Sequence, residues 1–496
     1  MTDIVRHPGA TVSRRSLLGV VASLGLGHLV GISAAQGHAQ PAENGAEKTV
    51  SWFVTTPETR WQAGRGAALA NITGIPDVFL SGARQTIAGF GACFNELGWD
   101  ALSRLERDKR DAVLKALFGA DGARFSLCRM PVGANDFSRD WYSYDETPGD
   151  FELKRFSVAN DEKTLIPFIK AAKVHQPGLK LWASPWSPPT WMKRNGHYAS
   201  VPNRSGSPAN GIRPDQIGRE GTDMFLVEPK YLDAYARYFG KFIDSYRSRG
   251  IAIGMVMPQN EFNSAQPFPS CTWTPGGLTA FLPYLGKEMG ARGVDIFLGT
   301  LERPDSGLFE KVFADPTAGP FIKGVGVQWA GKDAVPWIHR AHPELPIYQS
   351  EQECGDGKND WRYCRYTWSL VKHYLRNGAT AYQYWNMALV DGGVSRWGWA
   401  QNSLISVDKA TGEHRMNHEY WLMKHLSHFV EPGAVRIEAV SYTGYEDVLG
   451  FKNPDGSHVV VAHNPLTEVM PIGIAVAGRL LQATLPANSF NTFKIA

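Results

Sequence analysis

Residues 86–132 read TIAGFGACFNELGWDALSRLERDKRDAVLKALFGADGARFSLCRMPV, and this stretch sets the pattern for most of the chain. Thr86–Phe94 is an apolar run of strand length. Asp100–Phe118 then places Leu102, Leu105, Ala112, Val113, Ala116 and Leu117 at roughly helical spacing, with Arg and Asp between them. Arg124–Val132 returns to a strand-like run. The same alternation continues outward. Strand-like runs follow at Leu179–Pro185, Ile251–Glu261, Val294–Leu301, Ile322–Trp329, Pro346–Glu351 and Thr380–Met387. Amphipathic segments lie between them, at Asp161–His175, Pro229–Arg249, Thr274–Arg292 and Asp360–Asn377. Eight β-then-α units predict an α/β fold, a (β/α)8 TIM barrel over residues 86–430, rather than an open doubly wound sheet.

The two ends read differently. Residues 48–85 and 431–496 show alternating runs and little helical periodicity, with strands expected at Val435–Val440, Asp447–Lys452, His458–Asn464 and Ser489–Ile495. Asn453-Pro454-Asp455-Gly456 is a plausible hairpin turn. The expectation is a β-sandwich beside the barrel, formed by the C-terminal segment with strands from the N-terminal one. Asn195–Asp223 is polar, rich in Gly and Pro, and at this position in a barrel falls near the active face.

Residues 1–39 read as an export leader. Ser13-Arg14-Arg15-Ser16-Leu17-Leu18 resembles the twin-arginine pattern, an apolar Gly-rich stretch runs from Leu17 to Ile32, and Gly37-His38-Ala39 offers small residues for cleavage. The expected location is periplasmic or extracellular. The 496-residue chain carries a net charge of +3; residues 1–39 hold Arg6, Arg14, Arg15 and Asp3, so +1 remains beyond them. A near-neutral chain lacks the basic face of a sequence-independent nucleic-acid binder. No later segment is apolar for long enough to span a bilayer. Five cysteines without a CxxC make neither a disulfide scaffold nor a zinc ribbon. His414 and His418 have helical spacing but no HExxH pattern and no third ligand, so no metal and no cofactor are expected. Gly89-Phe90-Gly91 lacks the rest of a dinucleotide fingerprint and reads as close backbone packing at a strand end.

In a (β/α)8 barrel the chemistry sits at the C-terminal ends of the strands. Those ends are Ala134-Asn135-Asp136, Ser184-Pro185-Trp186, Gln259-Asn260-Glu261, Gln328-Trp329, Ser350-Glu351 and Trp385-Asn386. Two Glu residues on separate strands can face one cavity, and indoles offer flat apolar faces to the C–H faces of a sugar ring. The combination suits glycoside cleavage by paired carboxylates.

The chain at these positions resembles glycoside hydrolase family 30, which includes the lysosomal glucosylceramidase and microbial β-1,6-glucanases. The resemblance rests on GFGACFNEL (89–97), RMPVGANDFSRDWYSYDETPGDFELKRFS (129–157), LWASPWSPPTWMKRNG (181–196), QNE (259–261), SEQECG (350–355) and PDGSHVVVAHN (454–464). It implies Glu261 as general acid/base and Glu351 as the nucleophile of a retaining mechanism, which needs carboxyl groups about 5–5.5 Å apart. It further implies Asn260 at the sugar 2-hydroxyl, Asp136 and Trp186 at the far hydroxyls, Trp385 as the floor, Phe268 at the entrance, Trp329 at the sixth strand end, and Arg129 near the nucleophile. Glu353 rivals Glu351 locally, but the family's Ser-Glu position falls on Glu351. Asp136 has a competing reading as a turn cap. The family's glucosylceramidase carries His-Trp-Tyr where this chain has Gln328-Trp329-Ala330, a difference that bears on the leaving group. The implied substrates are glucosylceramide-like lipids or β-1,6-linked glucans, with xylosides as an alternative. A catalytically silent carbohydrate-binding protein would have no need of both glutamates.

Overall fold

The computed structural model describes residues 49–496; the leader lies outside them. Eight strands form a closed, all-parallel barrel: β1 (Gly89–Cys93), β2 (Leu127–Pro131), β3 (Lys180–Ser184), β4 (Met255–Val256), β5 (Asp295–Leu301), β6 (Ile322–Gln328), β7 (Ile347–Glu351) and β8 (Ala379–Asn386). Each pairs with its neighbour in sequence, and β8 closes on β1. Helices cover the outside while side chains fill the inside, so the strands are buried on both faces. That is why they read as unbroken apolar runs. Trp182 packs with Leu127, Met255, Met257 and Phe297 inside the barrel. Gly91 admits no side chain, because a Cβ there would lie 1.8 Å from the Leu127 carbonyl oxygen. The close packing expected of Gly89-Phe90-Gly91 is thus present, within β1 rather than at its end.

Three expectations change in detail. The helix expected at Asp100–Phe118 is two, Glu96–Ser103 and Arg107–Phe118. Asn95 starts the first early, its side-chain oxygen accepting from Gly98 N at 2.7 Å. The fourth strand is regular only over Met255–Val256, since Pro258 has no N–H to give to the ladder. The backbone still runs on beside its neighbours, with Met257 N on Ala183 O at 2.9 Å and Asn260 N on Pro185 O at 2.7 Å. Finally, His414 lies in a strand (His414–Met416) and His418 opens a helix (His418–Ser427), so their helical spacing does not exist. Helices Ser306–Phe313 and Val335–Ala341 and a small sheet of Ala388–Val390, Ile405–Val407 and His414–Met416 had no expectation.

The remaining strands build a β-sandwich from both ends of the described chain. Val50–Thr55 pairs with Ser489–Ile495, and Val78–Thr86 lies between Val435–Ser441 and Met470–Val476. The hairpin turn forms, Gly456 N donating to Asn453 O at 3.0 Å. Alternate residues serve two cores: Leu449, Phe451, Val459 and Val461 pack with the barrel, whereas Val448, Val460 and Ala462 pack within the sandwich. Among the described residues no helix is long and apolar enough to cross a membrane. All five cysteines are buried free thiols.

Candidate active site

At the C-terminal ends of the barrel strands lies a cavity of about 350 Å³ whose lining includes Asp136, Trp186, Glu261, Phe268, Trp329 and Glu351. A wider depression of about 640 Å³ on the sandwich has one carboxylate, Asp77, and no aromatic side chain, so it lacks the groups that chemistry on a sugar requires.

Glu351 ends β7 and is 5% exposed. Its Oε2 accepts from Arg129 Nη1 at 2.8 Å and from Gln328 Nε2 at 3.2 Å, while Oε1 accepts from Trp329 Nε1 at 3.0 Å. Glu261 follows β4 with a left-handed φ of 46°, held by its own N–H on Thr300 Oγ1 at 2.8 Å. Its carboxylate accepts from Gln328 Nε2 and Gln266 Nε2, both at 3.2 Å. Burial and then the charge of Glu351 push Glu261 up to about 7. Burial raises Glu351 too, but Arg129, Trp329 and Gln328 oppose the shift. Of the two, Glu261 is pushed further toward its protonated form, while Glu351 has the charge and hydrogen bonds that favour ionisation.

Asn260 is buried and, like Arg129, off the cavity lining; its side-chain Oδ1 is saturated by Arg129 Nη2 at 2.7 Å, Thr300 Oγ1 at 3.2 Å and Gln328 Nε2 at 3.2 Å, which leaves its NH2 as the end that faces away from them. Asp136 is not the turn cap. Asn135 accepts from Phe137 N at 2.9 Å, and Ser138 Oγ accepts from Asn135 N at 2.8 Å. That frees Asp136 to line the cavity, where its Oδ1 has no partner. Burial, then Glu351 and Glu261, raise its pKa.

Two assignments need correction. Arg129 stands beside Glu351 as the resemblance implies, but as a sugar contact it fails, being wholly buried and off the cavity lining. It lies over the Trp186 ring at 4.3 Å, anchored by Ser184 Oγ at 2.9 Å, and acts on Glu351 and Asn260. Trp385 was expected as the floor; it is buried and off the lining, stacked on Trp186 at 5.4 Å. Of this stacked pair, Trp186 is the indole that meets the cavity, and the Trp385 ring beneath it holds its plane. Glu353 turns away to Lys332 at 3.0 Å and Tyr366 at 2.8 Å.

Sequence reasoning missed Gln266 and placed Gln328 at a strand end without giving it a role; the amides of both reach the carboxylates. It also left unassigned the rim of Arg204, Trp399, Gln401 and Glu302. Arg204 lies 4.6 Å over the Trp399 ring, which meets Phe268 edge-on at 6.0 Å. Arg204 lies in the polar loop Asn195–Asp223, which the sequence places near the active face; Trp399 and Gln401 follow the eighth strand, and Glu302 follows β5 directly.

The family model described as the glycosyl hydrolase family 30 TIM-barrel domain matches residues 87–430, and that of the family 30 beta sandwich domain matches 433–493. The lysosomal acid glucosylceramidase of Mus musculus is 28% identical over 82% of this chain and 81% of its own length. An endo-1,6-beta-D-glucanase of Aspergillus fumigatus is 26% identical over 83% of this chain and 86% of its own. The crystal structure of SrfJ from Salmonella typhimurium superposes with a TM-score of 0.78 at 23% identity, covering 90% of this chain and 99% of that one.

Proposed function

The chain belongs to glycosyl hydrolase family 30 and is a glycoside hydrolase; on that premise we propose that it is a retaining β-glycosidase acting on β-glucosidic bonds. One observation carries the reading. A Glu261 oxygen and a Glu351 oxygen both lie 3.2 Å from the same nitrogen, Gln328 Nε2, so they are no more than twice that distance apart. That upper bound falls below the roughly 6.5–9.5 Å that inverting enzymes keep between carboxyls for a water, and it admits the closer approach that direct attack by a carboxylate needs.

Glu351 attacks the anomeric carbon as Glu261 gives its proton to the leaving oxygen, breaking the glycosidic bond. Glu261, now ionised, takes a proton from water as that water displaces the Glu351 ester. Asn260 offers its amide to the 2-hydroxyl, an interaction that strengthens in the transition state. Asp136 binds far hydroxyls beside the Trp186 face. The rim mixes Arg204, Gln266, Glu302 and Gln401 with Trp399 and Phe268, which fits a hydroxyl-bearing sugar leaving group better than paired alkyl chains. Gluco-oligosaccharides and β-1,6-glucan therefore come first, glucosylceramide-like lipids second. The twin-arginine-like leader supports export to the periplasm or beyond, to be checked by cell fractionation.

The test is to incubate the purified protein with gentiobiose, a β-1,6-glucan, glucosylceramide and xylo-oligosaccharides, and to follow the first-formed anomer by NMR. β-Glucose released first fits the proposal; an α-product refutes retention. Glu351→Gln should lose nearly all turnover of an aryl β-glucoside while remaining folded, and full activity in that variant refutes the nucleophile assignment.

A further inference from the structure

Gln328, the last residue of β6, is wholly buried and does not line the cavity, yet its side chain bridges the two carboxylates. Its orientation is unambiguous. Oε1 accepts from Ser350 Oγ at 2.9 Å and from Arg129 Nη1 at 3.3 Å, and both of those partners carry hydrogens. The NH2 end must therefore face the glutamates. There Nε2 has three acceptors, Asn260 Oδ1, Glu261 Oε1 and Glu351 Oε2, each at 3.2 Å. An amide nitrogen has two hydrogens, so one acceptor is always left short, and the hydrogens favour whichever oxygen is more negative.

Given the roles proposed above for Glu261 and Glu351, the negative charge changes place during the cycle. It sits on Glu351 before attack and on Glu261 once Glu351 is an ester. We propose that Gln328 is a positioning residue serving both halves of the reaction, its amide following the negative charge from Glu351 to Glu261. No backbone movement is required, because all three acceptors are already within reach. An amide also does this without titrating, unlike the imidazole that the resemblance places here in glucosylceramidase.

Two substitutions separate this role from simple packing. Gln328→Met keeps the length and removes the donor. Both carboxylates lose a hydrogen bond that favours their charged forms, so both limbs of the kcat/KM pH profile should move up by about one pH unit. Gln328→Glu keeps acceptors for Ser350 and Arg129 but adds a third carboxyl. The working state then holds two protons among three carboxyls instead of one between two, and the window should move to lower pH. The other ionisable groups around the pair, Arg129, Asp136, Arg303 and the buried thiols Cys93 and Cys354, are the same in both variants.

Shifts of opposite sign with an aryl β-glucoside, with about tenfold lower kcat/KM for Gln328→Met, support the proposal. Unmoved limbs, or limbs that move the same way in both variants, overturn it. If Gln328→Met does not fold, Gln328→Glu alone decides: a downward shift supports, an unchanged profile overturns. The wild-type anomer experiment is independent. A β-product with unmoved limbs removes only the Gln328 role, whereas an α-product removes the retaining reading itself.

Discussion

Arg129 reaches Glu351 at 2.8 Å although their strands, β2 and β7, stand three places apart around the barrel. The contact spans the barrel interior, with side-chain exposures of 0% and 6%, so water screens it little. An opposite charge at that distance favours the ionised carboxylate. Arg129→Met should therefore raise the Glu351 pKa and move the acid limb of kcat/KM to higher pH, and kcat should fall by roughly 10²-fold. Arg129→Lys should recover part of the limb position, since charge returns, but little of kcat, because the fork that also holds Asn260 and Ser184 is gone. Limb positions read from pH–rate profiles decide the matter.

The buried position of Glu261 comes at a cost to stability. Its folded pKa is raised to about 7 against an ordinary 4.5, so stability is lost as pH rises from the unfolded value through the folded one. At pH 8 the folded protein holds an ionised, buried Glu261 beside Glu351; at pH 5 Glu261 is protonated and the strain is mostly absent. Glu261→Gln should therefore raise Tm by a few degrees at pH 8, corresponding to about 2–3 kcal/mol. It should do little at pH 5 and remove most activity at either. Equal Tm gains at both pH values would contradict the linkage.

The Asp136 side chain puts an unpartnered oxygen into the cavity while Asn135 and Ser138 hold the turn. Asp136→Ala should lower kcat/KM by roughly tenfold, about the worth of one lost hydrogen bond to an uncharged group, without lowering Tm. A fall in Tm with unchanged kcat/KM would return Asp136 to the role of a turn former.

The barrel was legible because parallel strands buried on both faces leave long apolar runs, and because their C-terminal ends carry the polar residues. Both glutamates could be singled out that way. What the sequence could not show was relative depth. Arg129 and Trp385 are the right kinds of residue to touch a sugar, yet each lies behind the cavity lining, packed against Trp186. Gln328 was visible as a strand-end residue, but its importance comes from three distances to residues remote in sequence. The hairpin Met470–Val476 and Arg479–Leu485 was also missed. Its turn is Ala477-Gly478 with φ of 52° and 76°, and alanine is an uncommon residue at a positive φ.

The joint between barrel and sandwich depends on a histidine that must stay neutral. His425, in the helix His418–Ser427, is fully buried; its Nδ1 lies 2.8 Å from Thr492 Oγ1 and its Nε2 2.9 Å from Thr55 Oγ1. Thr492 gives its own hydroxyl hydrogen to the His425 carbonyl at 2.9 Å, so Nδ1 must be the donor and Nε2 the acceptor. Burial drives the ring pKa down to about 3, from an ordinary value of 6.5. For a depressed histidine, the unfolded chain takes up the proton first. The stabilisation is thus complete above pH 6.5 and drains away as pH falls toward 3. A Gln side chain also pairs one donor end with one acceptor end but does not titrate. His425→Gln should cost a few degrees of Tm at pH 7, where the ring fits better. Between pH 6.5 and 4.5 its Tm should fall less steeply than that of the wild type, the difference reaching about 2–3 kcal/mol at pH 4.5. Parallel Tm–pH curves for the two proteins would show that this ring does not carry the acid sensitivity of the joint.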